Sequence, residues 1–148
     1  MFGVLTNTAL VYIPPFIFEI ITMKKLKDNV NNLNSLLKNG KIVQAFEQYY
    51  DIKVNIHIDG NPPISGKEQK RDMIFLQEIE KLNSANVKLV AYGGEDNDFA
   101  VIEWEINIEN KKGEKKTIYR VNVQHWKDNK IINEKVYFCG DQKFKVED

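Results

Sequence analysis

A chain of 148 residues has the length of one ordinary domain, enough for a single sizeable core and not for two. Lysine plus arginine and aspartate plus glutamate stand at 21 each, so no net field draws the protein to nucleic acid or to an anionic membrane surface. One cysteine and two histidines exclude an intrachain disulfide and a Cys/His metal cluster; a reducing, cytoplasmic setting is expected, with no structural metal and no cofactor.

Met1–Thr22 is strongly apolar and gives way abruptly to Met23-Lys24-Lys25-Leu26-Lys27. The leader lacks the basic start and the small-residue cleavage site of a secretory signal. A membrane span needs roughly 20 apolar residues, but Pro14-Pro15 would break such a helix and Glu19 would lie in lipid. Were it to insert, Lys24, Lys25 and Lys27 would hold the adjoining domain on the cytoplasmic side. Composition favours Met23 as the true start, dividing the chain into a leader (1–22), a domain (23–141) and a tail (142–148).

Leu26, Val30, Leu33 and Leu37 recur at helical spacing, and Asn39-Gly40 stops that first helix. Ile42, Ala45, Phe46, Tyr49 and Tyr50 fall on one stripe of a short second helix. The period then changes to two: Ile52, Val54, Ile56 and Ile58 alternate with Asp51, Lys53, Asn55 and His57, the signature of a half-buried strand. Gly60-Asn61-Pro62-Pro63 ends it, because proline has no amide hydrogen to donate. A long third helix is expected from Ser65 or Gly66 to near Ser84, with Met73, Leu76, Ile79 and Leu82 on one side and Phe75 adjoining. Four strands come next, Val87–Tyr92, Phe99–Ile108, Lys116–Trp126 and Ile131–Phe138, with polar turns at Gly93–Asp98, Asn110–Glu114 and Lys127–Asn129.

This order predicts an α+β domain: two N-terminal helices, and a curved antiparallel sheet that forms a cone round the long helix. The segment Gly60-Asn61-Pro62-Pro63-Ile64-Ser65-Gly66-Lys67-Glu68 and the ending Val121-Asn122-Val123-Gln124-His125-Trp126-Lys127-Asp128-Asn129-Lys130-Ile131-Ile132-Asn133-Glu134 resemble the SnoaL-like branch of the nuclear transport factor-like, ketosteroid isomerase-like superfamily. The resemblance covers roughly Leu26–Phe138. It implies a cavity between the concave face and the helices as the functional site, a polyketide cyclase-like or isomerase-like chemistry among the possibilities, and a homodimer.

On Phe99–Ile108 the apolar set Ala100, Ile102, Trp104, Ile106 and Ile108 should face inward, leaving Glu103 and Glu105 outside to pair with Arg120 or Lys135. A bulge that turned Glu103 inward would make it a desolvated acid/base group. On the next strand Tyr119, Val121 and Val123 form one face and Arg120, Asn122 and Gln124 the other; both are expected to be partly buried. Asn122 and Gln124 are neutral groups suited to orienting a ligand, and the Gln-x-Trp spacing to Trp126 matches the pattern of the resembling family. Glu134 shares a face with Ile132, Val136 and Phe138, and a carboxylate on an apolar face needs a partner or a function, so it is the leading acid/base candidate. His57 borders the Pro-Pro loop and is a candidate for the cavity mouth. Tyr49, Tyr50, Trp104, Trp126 and Tyr137 are candidate ligand-lining aromatics, against a plain core role. Cys139 has no basic neighbour in sequence to activate it.

Three readings are open: a pocket domain binding a small, largely apolar molecule; a cofactor-independent isomerase, cyclase or dehydratase with Glu134 as base and Gln124 or Tyr137 as donor; or a dimerisation or partner-binding module acting through the outer sheet face.

Overall fold

The computed structural model describes residues 2–5, 10–59, 61–67 and 81–139. Strands β1 (Phe2–Leu5) and β2 (Leu10–Ile13) pair with each other in antiparallel fashion, apart from the main sheet among the described residues. Helix α1 runs Pro15–Lys38 and starts well before the expected Leu26. Pro14-Pro15 opens this helix rather than breaking it. Pro14 is the N-cap, and Pro15 at the first helical position forfeits an amide that has no intrahelical partner there. The early turns are exposed at Phe16, Ile17, Phe18, Ile20 and Ile21, and α1 first enters the core at Leu26, followed by Val30 and Leu33. No helix among the described residues is long and apolar enough to cross a membrane.

Helix α2 (Ile42–Tyr49) buries Ala45, Phe46 and Tyr49. Tyr50, expected on its stripe, is instead its extended C-cap and the first residue of β3 (Tyr50–Ile58). The pairing of β3 shifts register between Tyr50 and Asn55; Tyr50, Val54, Ile56 and Ile58 are buried as alternation places them, and Ile52, of the same set, is left exposed. Strand β4 (Ile64–Ser65) adds a short edge.

The predicted third helix falls largely outside the described residues. Its expected end does not hold, because Lys81–Ser84 already belong to β5 (Lys81–Gly93). Lys81 and Leu82 pair with Glu109 and Ile108, and the Asn107 amide donates to Ser84 Oγ at 2.8 Å. A non-local ladder thus outweighs the helical spacing of a short apolar run.

Strands β5, β6 (Phe99–Glu109), β7 (Lys115–Lys127) and β8 (Lys130–Cys139) form the expected antiparallel meander. The curved six-stranded sheet has the order β4-β3-β8-β7-β6-β5. Contrary to the all-antiparallel expectation, β3 joins β8 in parallel. The β7–β8 turn carries Asp128 and Asn129 at φ 50° and 63°, the left-handed pair that matches the twist of a two-residue hairpin.

Between β5 and β6, Gly94 lies at φ +91°, and a Cβ there would meet the Phe99 ring at 2.6 Å and Asp98 Oδ1 at 2.8 Å. Gly94→Ala is therefore expected to cost about 1–2 kcal/mol. Thermal unfolding should show a melting temperature several degrees lower; an unchanged value would mean that the turn rearranges freely.

Candidate functional site

Cross-strand register arranges the concave face into rungs. One rung is Ile56–Glu134–Gln124–Ala100–Tyr92, the next Ile58–Val136–Asn122–Ile102–Val90, the third Phe138–Arg120–Trp104–Val87. Rungs on one face lie about 7 Å apart and neighbouring strands about 5 Å. Along β7 the inward set is the polar one: Asn122, Gln124 and Trp126 are buried, while Tyr119 is exposed outside.

The first rung holds a directed chain of hydrogen bonds. The Tyr50 hydroxyl donates to both carboxylate oxygens of Glu134, at 2.8 and 2.9 Å. Gln124 Nε2 donates to Glu134 Oε2 at 2.9 Å, and Trp126 Nε1 donates to Gln124 Oε1 at 3.1 Å. Indole nitrogen can only donate and a carboxylate here only accepts, so the amide orientation of Gln124 is set from both ends. The Trp126 indole meets Tyr49 edge-on at 5.7 Å, and the Tyr49 hydroxyl accepts from Asn32 Nδ2 and, at 3.2 Å, from Gln48 Nε2.

Burial pushes the Tyr50 phenol well above its ordinary range, reinforced by the charge of Glu134 and the hydrogen bond to it, so Tyr50 stays a proton donor. Arg120 reaches into the same face, with its guanidinium carbon 6.0 Å from the Trp104 ring centre. Burial lowers its pKa, and the charges of Glu134 and Tyr50 act in the opposite direction. The neutral donor, acceptor carboxylate and cation together make a largely buried polar end able to hold or move a proton. Among the described residues no group of His, Cys, Asp or Glu side chains is placed to hold a metal ion.

No family model and no curated protein matches the sequence. Solved structures do. The chain is similar to a protein assigned as a SnoaL-like polyketide cyclase from Mesorhizobium loti, at TM-score 0.64 and 21% identity over 76% of this chain and 97% of that one. An NTF2-like protein of unknown function from Burkholderia xenovorans matches at TM-score 0.63 and 17% identity, over 84% and 88% of the respective chains. A protein assigned as an isomerase from Bacillus subtilis matches at TM-score 0.64 and 17% identity, over 78% and 87%. This chain has the SnoaL-like, nuclear transport factor-like fold. At such identities the likeness concerns the fold, and the chemistry must be read from this chain's own residues.

Within the SnoaL-like cone the expected residues separate into two groups. Glu134, Gln124, Asn122, Trp104, Trp126 and Tyr49 are all buried, and all but the helical Tyr49 lie on the concave face. Glu103 is exposed on the outer face opposite Val121, so it is not part of this cluster. Tyr137 is 45% exposed and also lies outside; the buried hydroxyl beside Glu134 belongs to Tyr50. His57 sits on the outer face of β3 opposite Lys135, not at the cone. Arg120 turns inward instead of pairing with Glu103, and Glu105 pairs with Lys88 at 3.4 Å. Cys139 is exposed at the end of β8.

Two further contacts were not expected from the sequence. Tyr50 is expected as a pocket aromatic on a helical stripe, but as the first residue of β3 it shares the inward parity of Val54 and Ile56, and its hydroxyl meets Glu134. His125 Nε2 lies 2.7 Å from Asp98 Oδ2, with its ring stacked on Phe99 at 4.4 Å. That pair is on the outer side of the sheet, remote in sequence, and brought together by the register of β6 with β7.

Proposed function

We propose that this SnoaL-like chain binds a small, largely apolar molecule on the concave face of its cone. The supporting observation is a gradient along β7 and β8. Gln124 and Glu134 are 2% exposed, whereas Arg120, Ile118 and Phe138 further along the same two strands are only partly buried, beside Trp104, which stays buried on β6. An apolar surface that opens toward water above a dry polar end is the usual form of a small-molecule site.

The placement of Glu134 favours a second reading, proton transfer next to a carbonyl. Glu134 would take the proton, and the Tyr50 hydroxyl, by turning from the carboxylate to the ligand, would stabilise the oxygen that gains charge. Isothermal titration with α-decalone tests the first reading: saturable binding is expected, and Ile106→Trp, which fills the open part of the cone, should remove it. Binding unaffected by Ile106→Trp would place the ligand elsewhere. For the second reading, deuterium exchange of the ketone α-hydrogens followed by NMR should slow about 100-fold in Glu134→Gln; equal rates would sink the catalytic role.

A further inference from the structure

Helix α1 carries two different faces along one axis. At about 100° per residue, Leu26, Val30, Leu33 and Leu37 form the stripe that packs on the domain. The positions that continue this stripe toward the start of the helix are held by Glu19, which is exposed, and Thr22, whose hydroxyl donates to the Phe18 carbonyl at 2.9 Å. Ile17, Ile20 and Ile21 lie roughly 110–170° round the helix from the stripe, with Phe16 and Phe18 on either side of them. These five side chains are between 38% and 64% exposed. The apolar face thus turns away from the domain's own core, and a contiguous apolar patch of this kind marks an interaction site. Its charge pattern is as uneven as its burial. Met1–Phe18 contains no charged residue, whereas Lys24 and Lys25 follow Ile20 and Ile21 by four residues and extend the same face by one turn. Both lysines are exposed.

We propose that the start of α1 docks the protein on an anionic lipid surface, with the isoleucine face at the acyl boundary and Lys24 and Lys25 at the headgroup phosphates. The charge of the whole chain balances to zero, so the attraction is local to this helix. The apolar turns, Pro15–Thr22, are about 12 Å long, well short of a hydrocarbon core of about 30 Å. Helix α1 is continuous from Pro15 through Met23 and enters the core at Leu26. The segment therefore lies in the interface, rigidly joined to the domain, and does not cross. The lysines favour lipid over a second copy of the chain. Lysine is depleted from protein–protein contacts, while its long stem lets the ammonium reach phosphates above buried isoleucines.

The test is flotation of the full chain with vesicles of phosphatidylcholine alone and of equimolar phosphatidylcholine and phosphatidylglycerol. Binding to the anionic vesicles is expected to be about tenfold tighter or more, and to weaken as salt rises. The double variant Ile20→Glu/Ile21→Glu should lose about tenfold or more on both kinds of vesicle, and Lys24→Gln/Lys25→Gln should erase only the anionic preference. All four positions are exposed, so both variants should melt with the parent, which separates lost docking from lost folding. No vesicle binding by the parent, binding untouched by the isoleucine variant, or an anionic preference untouched by the lysine variant overturns the proposal. A dimer in sedimentation velocity that Ile20→Glu/Ile21→Glu dissociates, with no vesicle binding, overturns it in favour of a second copy on this face.

Discussion

Replacing Glu134 with alanine is expected to destabilise the protein by about 3–5 kcal/mol, the range for removing one partner of a buried charged network. The loss has identifiable parts. Tyr50 Oη and Gln124 Nε2 both donate to Glu134, and each would be left buried without an acceptor, at about 1–3 kcal/mol apiece. Arg120 would lose a neighbouring negative charge, and the side chain's volume would become a cavity. Against a total stability of about 5–15 kcal/mol the change is large, and it should lower the melting temperature by roughly 10 °C or more. Glu134→Gln tests the charge separately. The new amide can turn its oxygen to Gln124 Nε2 and its nitrogen to the Tyr50 oxygen, so no donor is stranded and what is lost is the charge on two hydrogen bonds and the negative neighbour of Arg120. This variant should therefore be destabilised by less than Glu134→Ala, by about 1–3 kcal/mol. Chemical unfolding of both variants gives the numbers; a Glu134→Ala loss below about 1 kcal/mol would mean that the network is solvated and carries no buried charge.

The second large effect is alkaline. Tyr50 loses its proton near pH 10 in the unfolded chain, whereas burial first and Glu134 second hold it protonated to higher pH in the fold. The folded state thus binds more protons above pH 10, and the contribution of Tyr50 is complete below that pH and falls as pH rises through the raised value. Within that window the slope approaches about 1.4 kcal/mol per pH unit. Urea unfolding of the parent from about pH 8 to about pH 11 should be level and then drop, and Tyr50→Phe should lose most of the drop. Burial raises Tyr92 in the same direction, so Tyr92→Phe is the control that keeps the limb due to Tyr50. Superimposable alkaline limbs for parent and Tyr50→Phe would show that Tyr50 is not held as the neutral donor.

The contrast between β6 and β7 explains why only part of the site was legible in advance. On β6 the inward residues Ala100, Ile102, Trp104 and Ile108 are the apolar ones, so alternation and hydrophobicity agree and identify the buried face. On β7 the two faces are Tyr119–Val121–Val123 and Arg120–Asn122–Gln124. Alternation assigns residues to faces but does not say which face turns inward. Pairing to Ile102 and Trp104 on one side and to Glu134 and Val136 on the other turns the polar set into the core. Hydrophobicity alone points the wrong way there, as it does for Ile52, which the irregular start of β3 leaves outside.

The sequence by itself determined the four-strand meander, the core stripe of α1, the alternation of β3 from Val54 onward and the unusual position of Glu134. Each is a periodicity or a local clash between a residue and its neighbours, and such signals are contained within a few adjacent residues. Only the tertiary structure decided the parallel joining of β3 to β8, the meeting of Tyr50 with a carboxylate 84 positions away and the inward turn of Arg120 and Asn122. Those depend on register between distant strands, and a shift of a single residue would send the strand side chains to the opposite face.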